Sequence, residues 1–218
     1  MSAAIKKPAG QEEQVTIAGA DVNLEGRLWL GSEPHGVVIT HPHPLYGGTM
    51  DNNVVWTAFQ AFQAKGWSTL RFNFRGVGLS TGEYGDGLAE VADVQAALMF
   101  LGSRLQGKIF LVGYSFGAAV AGRALLSGVA AAGLIMISPP IALMEMPYLA
   151  KVPKLRLIIV GDRDEFCPLP RLEELLGAAP PESRPEVKIV PGASHFLAGR
   201  EKPLYDLLLA YPLTAVQE

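Results

Sequence analysis

The stretch Lys108-Ile109-Phe110-Leu111-Val112-Gly113-Tyr114-Ser115-Phe116-Gly117-Ala118-Ala119-Val120-Ala121 decides the fold. It opens with a short apolar, β-prone run and passes through Gly-x-Ser-x-Gly. Small and helix-forming residues then continue to Leu126. A serine between a strand pattern and a helix pattern marks a nucleophile elbow, a sharp turn that exposes its hydroxyl above a sheet. Gly113 and Gly117 keep Cβ atoms out of the crowded space around the turn. The helix that follows offers unpaired N–H groups and a positive dipole end where negative charge would develop on a substrate oxygen.

A second Gly-x-Ser-x-Gly, Gly78-Leu79-Ser80-Thr81-Gly82, follows the strand-like Thr69-Leu70-Arg71-Phe72-Asn73-Phe74 but runs into Glu83-Tyr84-Gly85-Asp86-Gly87. No helix pattern follows, so Ser80 reads as a turn serine.

Outward from the elbow the chain alternates. Gln14 to Ala18 and Leu24 to Leu30 read as an opening hairpin around Gly19-Ala20-Asp21-Val22-Asn23. Strands are expected at 37–40, 67–74, 134–138, 155–160 and 186–190, and helices at 52–65, 88–101 and from about Leu197 to Leu209. Such alternation implies an α/β fold, a mostly parallel sheet with helices on both faces. One domain of residues 1–218 is expected, with 1–13 a loosely ordered N-terminal segment.

Composition excludes other classes. With 18 basic against 21 acidic residues, a net charge of −3 and no basic cluster beyond Lys6-Lys7, a nucleic-acid footprint is not expected. The single cysteine, Cys167, rules out an internal disulfide and reads as a small apolar filler. No metal-ligand spacing is present. The N-terminal residues lack the apolar core of a signal peptide, and the most apolar run, Val129 to Ile137, is too short to span a bilayer. A cytoplasmic protein acting on small molecules, as a monomer or homodimer and without membrane partners, is the expectation.

In sheets of this type the ligand site lies at the carboxyl ends of the strands, where the unusual residues of this chain collect. Thr40 runs into His41-Pro42-His43-Pro44-Leu45-Tyr46-Gly47-Gly48, Phe74 into Arg75-Gly76-Val77-Gly78, Val160 into Gly161-Asp162-Arg163-Asp164, and Val190 into Pro191-Gly192-Ala193-Ser194-His195-Phe196. A serine hydroxyl needs a base to take its proton, and an imidazole needs a carboxylate to hold its tautomer. Ser115, Asp164 and His195 occur in the chain order that an elbow serine requires, nucleophile, acid, base. Such a site needs neither cofactor nor metal.

Taken together, these segments resemble the α/β-hydrolase superfamily over nearly the whole chain, and are similar to small, cap-less bacterial serine hydrolases related to the dienelactone hydrolases. The chain departs from true dienelactone hydrolases at the nucleophile, which in them is Cys, so a dienelactone substrate is not implied. The resemblance implies a sheet of about eight strands, no cap domain, and a carboxylesterase acting on short acyl esters; a thioesterase, small amidase or perhydrolase would use the same residues. Asp164 matches the position of the family's acid, with Asp162 the alternative.

His41 and His43 fall where the family builds its oxyanion loop and are expected to make structural hydrogen bonds there; His35 reads as a surface residue. Phe116 N–H is the first oxyanion donor. Pro42 and Pro44 cannot donate, which leaves Leu45 or Tyr46 for the second, with Leu45 preferred. Arg75 is expected to brace its loop. Pro139 to Lys154 has room for about one helix, so the site should be shallow, with Ile141, Leu143, Met144, Met146 and Tyr148 as candidates for an apolar lip. Tyr46, Tyr114 and Met144 are the candidate substrate contacts.

Overall fold

The computed structural model describes residues 11–213. They form one eight-stranded sheet: β1 (Glu13–Ala18), β2 (Asn23–Trp29), β3 (Gly36–Thr40), β4 (Ser68–Phe72), β5 (Ile109–Tyr114), β6 (Leu134–Ile137), β7 (Leu155–Gly161) and β8 (Glu186–Val190). The strand order is β1-β2-β4-β3-β5-β6-β7-β8. β1 and β2 form the opening hairpin and β2 meets β4 antiparallel, while every other neighbour pair is parallel. The central strands read as unbroken apolar runs because both faces are covered. α1 (Asn53–Ala64) and α5 (Glu201–Ala210) contribute to the apolar core of one face. α2 (Glu90–Gly102), α3 (Phe116–Leu126) and α4 (Leu169–Gly177) contribute to that of the other.

The helices follow from local chemistry. Asn52 caps α1 by accepting the Val54 N–H at 2.9 Å, and the helix buries Val54, Val55, Ala58, Phe59 and Phe62 on one stripe. Each large side chain so buried stabilises the fold by about 1.5–3 kcal/mol. Six of the eleven residues of α3 are glycine or alanine, and nine of the eleven are buried. A Cβ on Gly117 would meet the His41 carbonyl oxygen at 2.6 Å.

Three expectations are corrected. Residues 11–13 are ordered: both carboxylate oxygens of Glu12 accept hydrogen bonds from Arg71 at 2.8 Å, and Glu13 begins β1; residues 1–10 of the expected loose segment lie outside the described residues. α4, for which no helix is expected, is a short helix bearing Pro170 in its first turn. The last helix begins at Glu201 rather than Leu197, because Leu197 sits at φ +49° in the turn that carries His195 and buries its side chain.

Among the described residues no cap covers the sheet's carboxyl edge. Between β6 and β7 the chain makes turns and a single 3-10 turn, Leu149–Lys151. Among the described residues no helix is long and apolar enough to cross a membrane.

Candidate active site

Ser115 follows β5 immediately and precedes α3, at φ +52° and ψ −120°. Positive φ is costly for a residue with a Cβ. Here it is held from both sides: Ser115 N–H donates to the Ile137 carbonyl at 2.9 Å, and its own carbonyl accepts from Ala118 at 2.9 Å and Ala119 at 3.3 Å. The strained turn aims Oγ away from the sheet, 2.8 Å from His195 Nε2.

His195 lies past the end of β8. Its Nδ1 is 2.9 Å from Asp164 Oδ1, and its carbonyl accepts the Tyr114 hydroxyl at 3.1 Å. Phe166 stands edge-on to the imidazole, ring centroids 4.8 Å apart. Asp164 Oδ1 also accepts the N–H groups of Phe166 and Cys167, both at 2.9 Å, while Oδ2 is buried without a partner among the described residues. All three side chains are nearly closed to solvent: Ser115, Asp164 and His195 are 8%, 5% and 4% exposed. With Nδ1–H turned to the carboxylate, Nε2 presents its lone pair to the Ser115 hydroxyl.

Asp162 plays a different part. Its Oδ1 accepts the Gly192 N–H at 2.7 Å, tying the β7 loop to the β8 loop. Ser80 is also a brace, donating to the Asn73 carbonyl at 2.8 Å and accepting from Glu25 N–H at 2.9 Å. Arg75 is held by the buried carboxylate of Asp93, with Asp21 at 3.4 Å. Burial pushes the Cys167 thiol pKa up, as suits a residue packed in the core.

The loop after β3 is built on its two histidines. His41 is buried; its Nε2 accepts the Phe74 N–H at 3.0 Å, so the proton sits on Nδ1 and is donated to the Pro42 carbonyl at 2.6 Å. Desolvation holds its pKa down to about 4, which keeps the ring neutral. His43 caps the 3-10 turn Pro44–Tyr46: its Nδ1 accepts Leu45 N–H at 3.2 Å, and its carbonyl accepts Tyr46 N–H at 3.1 Å and Gly48 N–H at 3.0 Å. A Cβ on Gly48 would meet the Pro42 oxygen at 2.1 Å, so only glycine closes this loop.

Leu45 and Tyr46 therefore have no free N–H to offer. Excluding Pro42 and Pro44 leaves His43 N–H as well, and this group and Phe116 N–H make no hydrogen bond among the described residues. The His43 and Phe116 rings pack at 4.9 Å between centroids.

A cleft of about 580 Å³ opens over Ser115. Tyr46, Tyr114 and Met144 line it, together with Leu143, Phe166 and Phe196. Of the other lip candidates, Ile141 and Met146 are buried in the core and Tyr148 packs against it. Phe196 directly follows His195 and Phe166 stands two residues past Asp164, the one signal that could have found them. Among the described residues the ionisable side chains at the cleft wall are His43, His195, Tyr46 and Tyr114. It holds no formal charge beyond that of the triad.

A model of the alpha/beta hydrolase family matches residues 37–157, more than half of the chain, and the chain belongs to that family. It is similar to an alpha-beta serine hydrolase homologue from Coxiella burnetii, 36% identical, with TM-score 0.83 over 90% of this chain and 95% of that one. It is also similar to an α/β serine hydrolase without lid from Xanthomonas campestris, 28% identical, with TM-score 0.83 over 93% and 94%. An uncharacterized protein of Rickettsia prowazekii is 31% identical over 92% of this chain and 89% of its own length.

Proposed function

We propose that the protein is a serine carboxylesterase that cleaves short, uncharged acyl esters through an acyl-enzyme. The observation that carries this is the unbroken line from Ser115 Oγ to His195 Nε2 and from His195 Nδ1 to Asp164 Oδ1, at 2.8 and 2.9 Å, at the wall of an open apolar cleft.

In this reading Ser115 Oγ attacks the ester carbonyl carbon while His195 Nε2 takes its proton. The carbonyl electron pair moves to oxygen, and the resulting oxyanion is met by the N–H groups of Phe116 and His43. Collapse breaks the bond to the alkoxy oxygen, which leaves as alcohol with the proton from Nε2. Water, deprotonated by the same imidazole, then attacks the acyl-enzyme and returns the serine and a carboxylic acid. Asp164 stays ionised throughout and stabilises the imidazolium. A neutral cleft supports a neutral acyl group, because a carboxylate buried there would find no cation.

The test is Ser115→Ala, assayed with p-nitrophenyl butyrate and a fluorophosphonate probe. Hydrolysis falls by several orders of magnitude, leaving the oxyanion donors and binding as the only residual catalysis. Stoichiometric labelling vanishes while the circular dichroism spectrum is unchanged. Activity equal to the parent's, or labelling at Ser80, overturns the assignment.

A further inference from the structure

The loop Gly78 to Gly87 contains the second Gly-x-Ser-x-Gly and supplies no triad residue. It does, however, place Tyr84 against the oxyanion loop. The Tyr84 hydroxyl is 3.1 Å from His43 Nε2, with ring centroids 5.2 Å apart. His43 Nδ1 already accepts Leu45 N–H. The neutral imidazole therefore carries its proton on Nε2 and donates it to the tyrosine oxygen. Desolvation lowers the His43 pKa and raises that of Tyr84, so both stay in the neutral forms that this bond needs.

Tyr84 is itself anchored from behind. Glu90, fully buried at the start of α2, accepts the N–H groups of Gly85 and Gly87 through its two carboxylate oxygens, each at 2.8 Å. Arg123 of α3 donates to the carbonyls of Asp86 and Gly87. Helices α2 and α3 thus fix the loop that carries Tyr84.

From this geometry we infer that Tyr84 is a positioning residue for the oxyanion hole, acting through the His43 ring. A ring proton on Nδ1 would abolish the acceptor for Leu45 N–H and release the turn whose cap residue, His43, supplies the second oxyanion donor. By accepting from Nε2–H, Tyr84 selects the tautomer that keeps Nδ1 bare. The His43 ring also packs on the ring of Phe116, the residue that supplies the other donor. The inference rests on the proposed acyl transfer at Ser115.

The experiment compares the full-length parent with Tyr84→Phe, His43→Asn and the double variant. Asparagine can cap the turn through its Oδ1 and has no tautomer to select. Steady-state hydrolysis of p-nitrophenyl butyrate is measured beside inhibition by an aryl trifluoromethyl ketone, whose adduct with Ser115 carries the oxyanion. Loss of one neutral hydrogen bond predicts that Tyr84→Phe lowers kcat by about 3- to 10-fold with KM little changed. The ketone's inhibition constant rises by the same factor. In the His43→Asn background the Tyr84→Phe effect disappears, because the group it acts through is gone. An equal effect of Tyr84→Phe in both backgrounds, an effect confined to KM, or no effect overturns the brace. Fluorophosphonate labelling of Ser115 separates the two levels of the argument. A labelled parent with an indifferent Tyr84 defeats only the brace, whereas an unlabelled parent defeats the acyl transfer on which it rests.

Discussion

Replacing Asp164 by Asn tests the triad more sharply than deleting it, because of how its oxygens are used. Oδ1 accepts three bonds, from His195 Nδ1, Phe166 N–H and Cys167 N–H, all at 2.9 Å. Two backbone donors therefore hold an amide oxygen in the same place, and the Asn side chain keeps its bond to Nδ1–H. The imidazole tautomer survives and only the charge is lost. At 2.9 Å and an effective dielectric constant near 20, a carboxylate–imidazolium attraction amounts to about 6 kcal/mol, or roughly four decades in rate. The amide dipole retains part of this, so kcat is expected to fall by about 10²- to 10⁴-fold. The new Nδ2 takes the place of the unpartnered, buried Oδ2, which costs about 1–3 kcal/mol of stability. Asp162→Asn is the control: its Oδ1 serves only Gly192 N–H, an acceptor that Asn preserves, so kcat changes by no more than about twofold. Stopped-flow acylation with p-nitrophenyl acetate and urea denaturation read the two effects separately. An Asp164→Asn enzyme within tenfold of the parent, or one less impaired than Asp162→Asn, refutes the reasoning.

Acyl-chain selectivity follows from the uncapped cleft. Each methylene fully buried is worth about 0.8 kcal/mol, roughly fourfold in kcat/KM. Across p-nitrophenyl acetate, butyrate, octanoate and palmitate the gain should stop after a few carbons, and a steady rise through octanoate shows a deeper tunnel than the 580 Å³ cleft. Stability has an acid limb from His41. Its folded pKa of about 4 lies below the ordinary 6.5, so the unfolded chain binds the extra proton as pH falls between them. This contribution is complete above about pH 6.5 and is lost progressively toward pH 4, amounting to about 3 kcal/mol at the limit. Urea titrations at pH 7 and 4.5 should show a smaller drop in His41→Gln than in the parent; equal drops locate the acid sensitivity elsewhere.

The contrast between what the sequence shows and what it hides has a physical origin. Ser115 and the parallel order of strands are legible because each depends on neighbours in the chain: a β-prone run, two glycines and a helix of small residues. Spacing alone leaves Asp162 and Asp164 equal, and the preference for Asp164 comes from the family resemblance; in the structure Asp164 meets His195 while Asp162 accepts Gly192 N–H. α4 escapes because it is short and opens on Leu169-Pro170, a breaker signal set against the helical spacing of Leu169, Leu172 and Leu176. Leu197 misleads for the opposite reason, since its spacing suits a helix while its backbone turns left-handed to carry His195 into place.

The proposed second oxyanion donor is hidden more deeply. Leu45 N–H is taken by the His43 ring and Tyr46 N–H by the His43 carbonyl, and that ring meets Tyr84, 41 residues away in the chain. The nucleophile can be read from an elbow because its strain is local and is offset by adjacent bonds. The loop after β3, rich in proline, spends the N–H groups of Leu45, Tyr46 and Gly48 on closing its own turn over His43. It is tied to its neighbours by side chains, with His41 reaching Phe74 N–H and Tyr84 meeting His43. A site without a cap must obtain its rigidity from the loops beside it. That gives the otherwise unremarked stretch from Gly78 to Gly87 a reason to be as firmly anchored as it is.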